Sequence, residues 1–287
     1  MAELNPQALA SPAWRTVPVT LIEPSRRWLR LGLRECWRYR ELLYFLTWRD
    51  VKVRYKQTLI GVMWAIFQPA IKVLVFSLIF GGLAKVDSQG FPYPLFVFAG
   101  LLPWEFFASS VSRGGESVVA SANLVRKVYF PRIIIPVAAV GACLVDFAAS
   151  FAILVVLMLY YGAVPTLSLV MVLPLVLAVL VLAIGIGLLI SALNVAYRDF
   201  RYVLPVILQV WMFVTPIIYP PTAVPEKWQW LLHLNPMTGI VGGYRSAILG
   251  TPFVWAELGI SMLVAAAVFV CGLMYFRRME RWFADIV

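Results

Sequence analysis

Leu167 to Leu193, LSLVMVLPLVLAVLVLAIGIGLLISAL, runs without a single charged residue. A helix needs about 20 predominantly apolar residues to cross roughly 30 Å of hydrocarbon, so this stretch can span a bilayer. Its neighbours repeat the pattern: further apolar runs cover Ile60 to Leu83, Tyr93 to Ser112, Ile133 to Tyr161, Val203 to Tyr219 and Val254 to Phe276. Composition agrees, because 62% hydrophobic residues with 13% charged is too apolar for the surface of a soluble domain. The runs predict an all-α integral membrane protein with six transmembrane helices.

The cations orient those spans. Lys and Arg number 24. They concentrate in an N-terminal segment ending at Lys56, in the second connection (Arg113, Arg126, Lys127, Arg132), in the fourth (Arg198, Arg201) and in the tail (Arg277, Arg278, Arg281). Lys85, Lys227 and Arg245 fall on the opposite side, and Lys72 lies inside the first span. The positive-inside rule therefore places both termini in the cytoplasm. A net charge of +10 would suggest nucleic acid in a soluble protein, but these cations flank apolar spans and form no nucleic-acid module. Cys36, Cys143 and Cys271 are scattered, which points to packing residues and neither a disulfide framework nor a metal cluster.

Domain boundaries follow from these shifts in composition. Residues 1–35 read as a loose cytoplasmic arm, without the apolar core of a signal peptide. Residues 36–59 read as an interfacial amphipathic helix, with Arg38, Glu41, Arg49, Lys52 and Lys56 in one sector and Trp37, Tyr44, Trp48, Val51 and Tyr55 beside it. Such a helix lies in the headgroup layer or docks on a protein there. The six-span body covers 60–276, and 277–287 forms a cytoplasmic tail. Within the body, the connection 113–132 holds a short cytoplasmic helix that stops before Pro131. The segment 220–253 contains apolar pieces too short to span, the pattern of re-entrant helices before the last span.

Lys72, Glu105 and Asp146 sit near the middle of the first three spans. Each costs about 2.5 to 3.5 kcal/mol if it faces lipid, so the three are expected to face one another or a wet interior, with Lys72 pairing to Asp146 or Glu105. Trp64, Gln68 and Lys72 follow one another at four-residue spacing, a stripe of ring, amide and ammonium. Phe67 lies beside it, and rings recur at Phe98, Trp104, Phe107, Trp211, Phe213 and Tyr219. Taken singly, each ring reads as core or interfacial belt; taken together they suit a path for sugars, whose C–H faces pack on aromatic planes.

Catalytic constellations are mostly missing. His233 is the lone histidine and has no acid or thiol beside it in the sequence, which argues against metal ligation or base catalysis. No G-x-x-x-x-G-K-[ST] occurs, so any ATP is hydrolysed by another chain.

Several long stretches carry a resemblance. RELLYFLTWRDVKVRYKQTLIGVMWAIFQP (Arg40 to Pro69), FAGLLPWEFFASSV (Phe98 to Val111) and ANLVRKVYFPRIIIP (Ala122 to Pro136) are followed by NVAYRDFRYVLP (Asn194 to Pro205), TPIIYP (Thr215 to Pro220) and LNPMTGIVGGYRSAILG (Leu234 to Gly250). In order and spacing they resemble the permease subunits of bacterial ATP-binding-cassette exporters of O-antigen, capsule and teichoic acid. The resemblance implies six spans, an interfacial helix, a coupling helix in the second connection and re-entrant helices before the last span. It also implies a homodimer in the bacterial inner membrane, two nucleotide-binding ATPase subunits that bind ATP and Mg, and a lipid-linked polysaccharide as cargo. This chain itself would hold no cofactor or metal. Carried over by position, Arg49, Asp50, Arg54 and Tyr55 of the interfacial helix and Asn123, Leu124, Arg126 and Lys127 of the coupling region would contact the ATPase. The rival readings are an exporter of lipids or drugs, an integral-membrane transferase using Glu105 and Asp146, and a proton-coupled carrier.

Overall fold

A computed structural model describes residues 37–56, 63–128, 130–163, 166–197 and 199–283. The expected arm 1–35, Cys36, the start of the first span at Ile60 and Arg198 lie outside the described residues. The helices are α1 (Arg40–Lys56), α2 (Met63–Phe76), α3 (Tyr93–Ala120), α4 (Ala122–Lys127), α5 (Ile134–Tyr160), α6 (Val172–Ala196), α7 (Phe200–Val214), α8 (Glu226–Leu234), α9 (Pro236–Leu249) and α10 (Trp255–Met279). No strand occurs among the described residues. Lipid offers the backbone no hydrogen-bond partner, so apolar sequence of this length closes its N–H and C=O groups within helices.

Among the described residues, five helical stretches are long and apolar enough to cross a membrane: Ile66–Leu83, Tyr93–Ala120, Ile134–Tyr160, Leu167–Ala196 and Trp255–Met279. The first continues α2 through a π-helical turn at Ser77–Leu83. The expected span over Val203 to Tyr219 is different. Its helix, α7, has 15 residues, about 22 Å at 1.5 Å per residue, and it stops before Pro216. The chain then runs on as irregular backbone that side chains satisfy. Arg245 Nη2 donates to the Ile217 carbonyl at 2.5 Å, and Tyr93 Oη donates to the Ile218 carbonyl at 2.9 Å. Non-helical backbone at membrane depth is tolerated where protein covers it, and here Thr215 to Ile218 are all buried.

Helix α3 is the centre of the bundle. It packs on α6, α5 and α9, while α10 covers the far side of α6 and α1 lies along α5. Within its most apolar stretch 78% of positions are buried, against 11% for α2. Small residues set the closest approaches, as expected where van der Waals contact and not water expulsion drives association. Gly185 of α6 lies against the Phe269 backbone of α10, so that a Cβ there would sit 2.5 Å from Phe269 Cα, and Gly272 faces the Gly185 carbonyl. Between α3 and α6, Gly114 meets Gly187 and Asn194 Nδ2 donates to the Gly115 carbonyl at 2.8 Å.

The segment 220–253 splits at Asn235. Its side chain accepts from Met237 N at 3.0 Å and so caps α9, whose other end closes on Gly250 in the left-handed region (φ 73°). Most of α9 is buried, against α10 and α3.

Candidate functional site

The three intramembrane charges do not meet as one group. Lys72 Nζ donates to both carboxylate oxygens of Glu105, each at 2.8 Å, joining α2 to α3. Asp146 of α5 instead accepts from the Arg54 guanidinium and the Tyr55 hydroxyl, both from the last turn of α1. Of the two partners expected for Lys72, Glu105 is the one it meets, and Asp146 stands apart with α1. Helix α1 runs along α5 and delivers its own cation to Asp146, which leaves Lys72 to the carboxylate on α3.

That geometry also revises the interfacial helix. Arg54 and Tyr55, expected to face the ATPase, turn inward to Asp146, and Val51 is buried, so the expected aromatic stripe divides. Trp37, Tyr44 and Trp48 stay exposed. The outward face forms a groove lined by Phe45, Trp48, Arg49, Lys52, Val53 and Lys56, with the Lys52 ammonium 5.5 Å from the Trp48 ring centre. Arg49 is held by Asp50, donating from Nε at 3.0 Å and from Nη2 at 2.8 Å.

In the second connection, α4 leaves Asn123, Arg126 and Lys127 exposed, while Leu124 is half-buried beside buried Val125. The strand of chain that follows is tied down at Arg132, whose backbone N donates to Glu280 Oε1 at 2.9 Å and whose guanidinium donates to the Glu280 carbonyl. Arg277 Nη1 reaches the same carboxylate at 3.1 Å. The second connection and the tail therefore share one end of the bundle.

The ring residues separate into two sets. Phe98, Trp104 and Phe107 are buried inside the single chain, at 2%, 2% and 0% exposure, which corrects their assignment to an open path. The reason is the central place of α3: Trp104 and Phe107 pack edge-on to Trp211 with ring centres 6.2 and 5.2 Å apart. Half-buried Trp211 donates from Nε1 to Asn235 Oδ1 at 2.9 Å, and Asn235 Nδ2 donates to Thr215 Oγ1 at 2.9 Å. Half-buried Tyr219 donates to the carbonyls of Phe213 and Val214. Phe67, Gln68 and Phe213 are exposed on α2 and α7. The side chain of Trp64 lies outside the described residues.

Sequence reasoning missed Arg245, Asn235 and Glu280. Arg245 is 6% exposed, lies 3.8 Å from the centre of the Phe96 ring and carries the Ile217 carbonyl bond. Its one visible cue was a cation in the otherwise uncharged run from Pro236 to Leu249. Asn235 carried the helix-start cue of an amide before proline.

Residues 41–249 match the family described as ABC-2 type transporter. Among characterised proteins, the chain is similar to the O-antigen export system permease protein RfbA of Klebsiella pneumoniae, with 29% identity over 248 residues, 86% of this chain and 95% of that protein. It is 32% identical over 216 residues to the RfbA protein of Myxococcus xanthus, covering 75% of this chain and 82% of that protein. It is also 27% identical over 210 residues to the polysialic acid transport protein KpsM of Escherichia coli, covering 70% and 78%.

Proposed function

Because the chain belongs to the ABC-2 type transporter family, we infer that it is the membrane permease of a polysaccharide exporter. Its cargo on this reading is a lipid-linked glycan moved out of the cytoplasm. The observation that carries the reading is the 32% identity to an O-antigen export permease over 75% of the chain. Two features of the site support a transport role over catalysis: the intramembrane carboxylates are committed to Lys72, Arg54 and Tyr55, and the open faces of α2 and α7 are broad and apolar.

Two copies assemble through those open faces in the inner membrane, with both termini cytoplasmic, and enclose a path bordered by Phe67, Gln68 and Phe213. Trp211 and Tyr219 hold the outer end of α7, and α8 and α9 form re-entrant helices that cap the exit. Two separate ATPase subunits bind ATP and Mg and dock on the α1 groove around Arg49 and on Asn123, Arg126 and Lys127 of α4. Their closure pushes α1, and the Arg54–Asp146 pair passes the displacement to α5. A rigid contact with two discrete arrangements transmits such a shift; a flexible linker would absorb it.

The test is reconstitution with the partner ATPase. Glycan should appear on the far side of the vesicle with ATP and not without it, and R126E/K127E should keep ATP hydrolysis while lowering export at least tenfold. Export by the permease alone would overturn the reading, and full export by R126E/K127E would remove the coupling assignment.

A further inference from the structure

Helix α3 has one open face, and it is the polar one. From Leu101 to Ala120 the positions that keep exposure recur at helical spacing, and those bearing polar groups are Glu105, Ser109, Ser112, Arg113 and Glu116. Ala108, Val119 and Ala120 also keep exposure, and every other position of this stretch is buried. On α2 and α7 the open faces are mostly apolar, with Ile71, Leu74, Val206 and Val210 exposed and the uncharged amides Gln68 and Gln209 among them. The part of the α3 stripe from Glu105 to Ser112 lies within the apolar span and is costly against lipid, so it meets water or a polar partner, while Arg113 and Glu116 continue it into the second connection.

The stripe is also charge-balanced. Lys72 closes its inner end on Glu105, and the pair still keeps 36% and 32% side-chain exposure, so it is presented on the open face. At the other end Arg113 lies within electrostatic reach of Glu116, Arg54 and Tyr55, next to the Arg54–Asp146 pair. Lys72 and Arg54 each hold a carboxylate, and Arg113 with Glu116 one turn further on adds one charge of each sign, so the groups named sum to zero. A surface of this kind offers hydrogen bonds without a net field, which matches a polyhydroxylated, uncharged polymer. An acidic chain would need cations that are not already compensated.

We propose that this stripe, centred on Lys72 and Glu105, is the wall of the path that touches the glycan and that its neutrality selects uncharged glycans over acidic ones. The proposal rests on the exporter reading and names the specificity-determining residues of that same path.

The experiment compares two lipid-linked glycans of equal length, a neutral hexose polymer and one carrying a uronic acid in each repeat, in proteoliposomes of the permease–ATPase complex. The wild-type complex should export the neutral glycan at least fivefold faster. K72Q, which leaves the Glu105 carboxylate alone, should widen that ratio at least tenfold. E105Q, which leaves the Lys72 ammonium alone, should narrow it at least threefold, and K72Q/E105Q should return it to within twofold of wild type. Equal changes on both glycans in the single variants would overturn the proposal and reduce the pair to a strut between α2 and α3.

A second measurement does not depend on those variants folding. In a background with Cys36, Cys143 and Cys271 replaced, S109C should react with a water-soluble maleimide, and the neutral glycan should slow the reaction at least threefold. An S109C that stays unlabelled would mean a dry face and would also overturn the proposal. Export of neither glycan by the wild-type complex would instead overturn the exporter reading beneath it.

Discussion

Replacing Gly272 with valine is expected to abolish accumulation of folded permease. The residue sits on α10 against the Gly185 carbonyl of α6, and Gly185 in turn lies against the backbone of Phe269. A side chain added at Gly272 would meet main chain, which cannot rotate aside, so the two helices would have to separate along their whole contact. That contact is one of the most extensive in the bundle and joins the last span to the centre. In a membrane the loss is not offset elsewhere, because lipid competes well for any apolar surface that is no longer closely fitted. Overpacking of this kind belongs to the class of changes that cost more than about 4 kcal/mol. Gly259, on the same helix with open space around it, supplies the comparison: G259A should leave the amount of folded protein unchanged. Size-exclusion profiles of the two variants in detergent decide the matter, and a normal G272V peak would refute the packing account.

The second large effect is expected at Asp146. Its carboxylate accepts from Arg54 and Tyr55, and it is the group that fastens the last turn of α1 to α5. D146A strands the Arg54 guanidinium, which is 15% exposed and lies within reach of Arg113. Removing one partner of a buried pair costs roughly 3 to 5 kcal/mol, and a value of about 2 to 3 is expected here because Asp146 keeps 28% exposure. Thermal unfolding in detergent should show the loss, and export per ATP hydrolysed should fall further than stability does if α1 drives α5. R54A/D146A should recover part of the stability, since no uncompensated charge remains, without recovering the coupling. A double variant no more stable than D146A would sink the ion-pair explanation.

The all-helical membrane fold was legible in the apolar runs, since length alone ties about 20 apolar residues to a span. Burial was not legible. Helices α2 and α3 both read as spans, yet one is open and the other enclosed on nearly every side. Apolar residues are equally at home against lipid and against protein, so hydropathy cannot sort Phe107 from Phe67. Cost arguments identified Lys72, Glu105 and Asp146 as residues that must avoid lipid, but pairing depends on which helices adjoin. Asp146 found its cation on α1, a segment the span pattern treats as lying outside the bundle. The early end of α7 was visible only as Pro216, because the apolar run continues through Ile217 and Ile218 beyond the helix. Arg245 was legible as a cation but not in its role, because its partners are a carbonyl and a ring, which no spacing rule encodes.

The brevity of α7 has a consequence for the bilayer. About 22 Å of helix stands where the hydrocarbon measures roughly 30 Å, and the exposed residues Val203, Val206, Ile207 and Val210 present that short height to the surroundings. Wherever the contact between two copies leaves part of this face to lipid, the bilayer must thin to meet it, a mismatch that costs fractions of a kcal/mol for each ångström. Vesicles made from phospholipids of increasing acyl-chain length should therefore depress export progressively, even though ATP supply is constant. A rate indifferent to tail length would mean that neighbouring protein, and not lipid, fills the missing height.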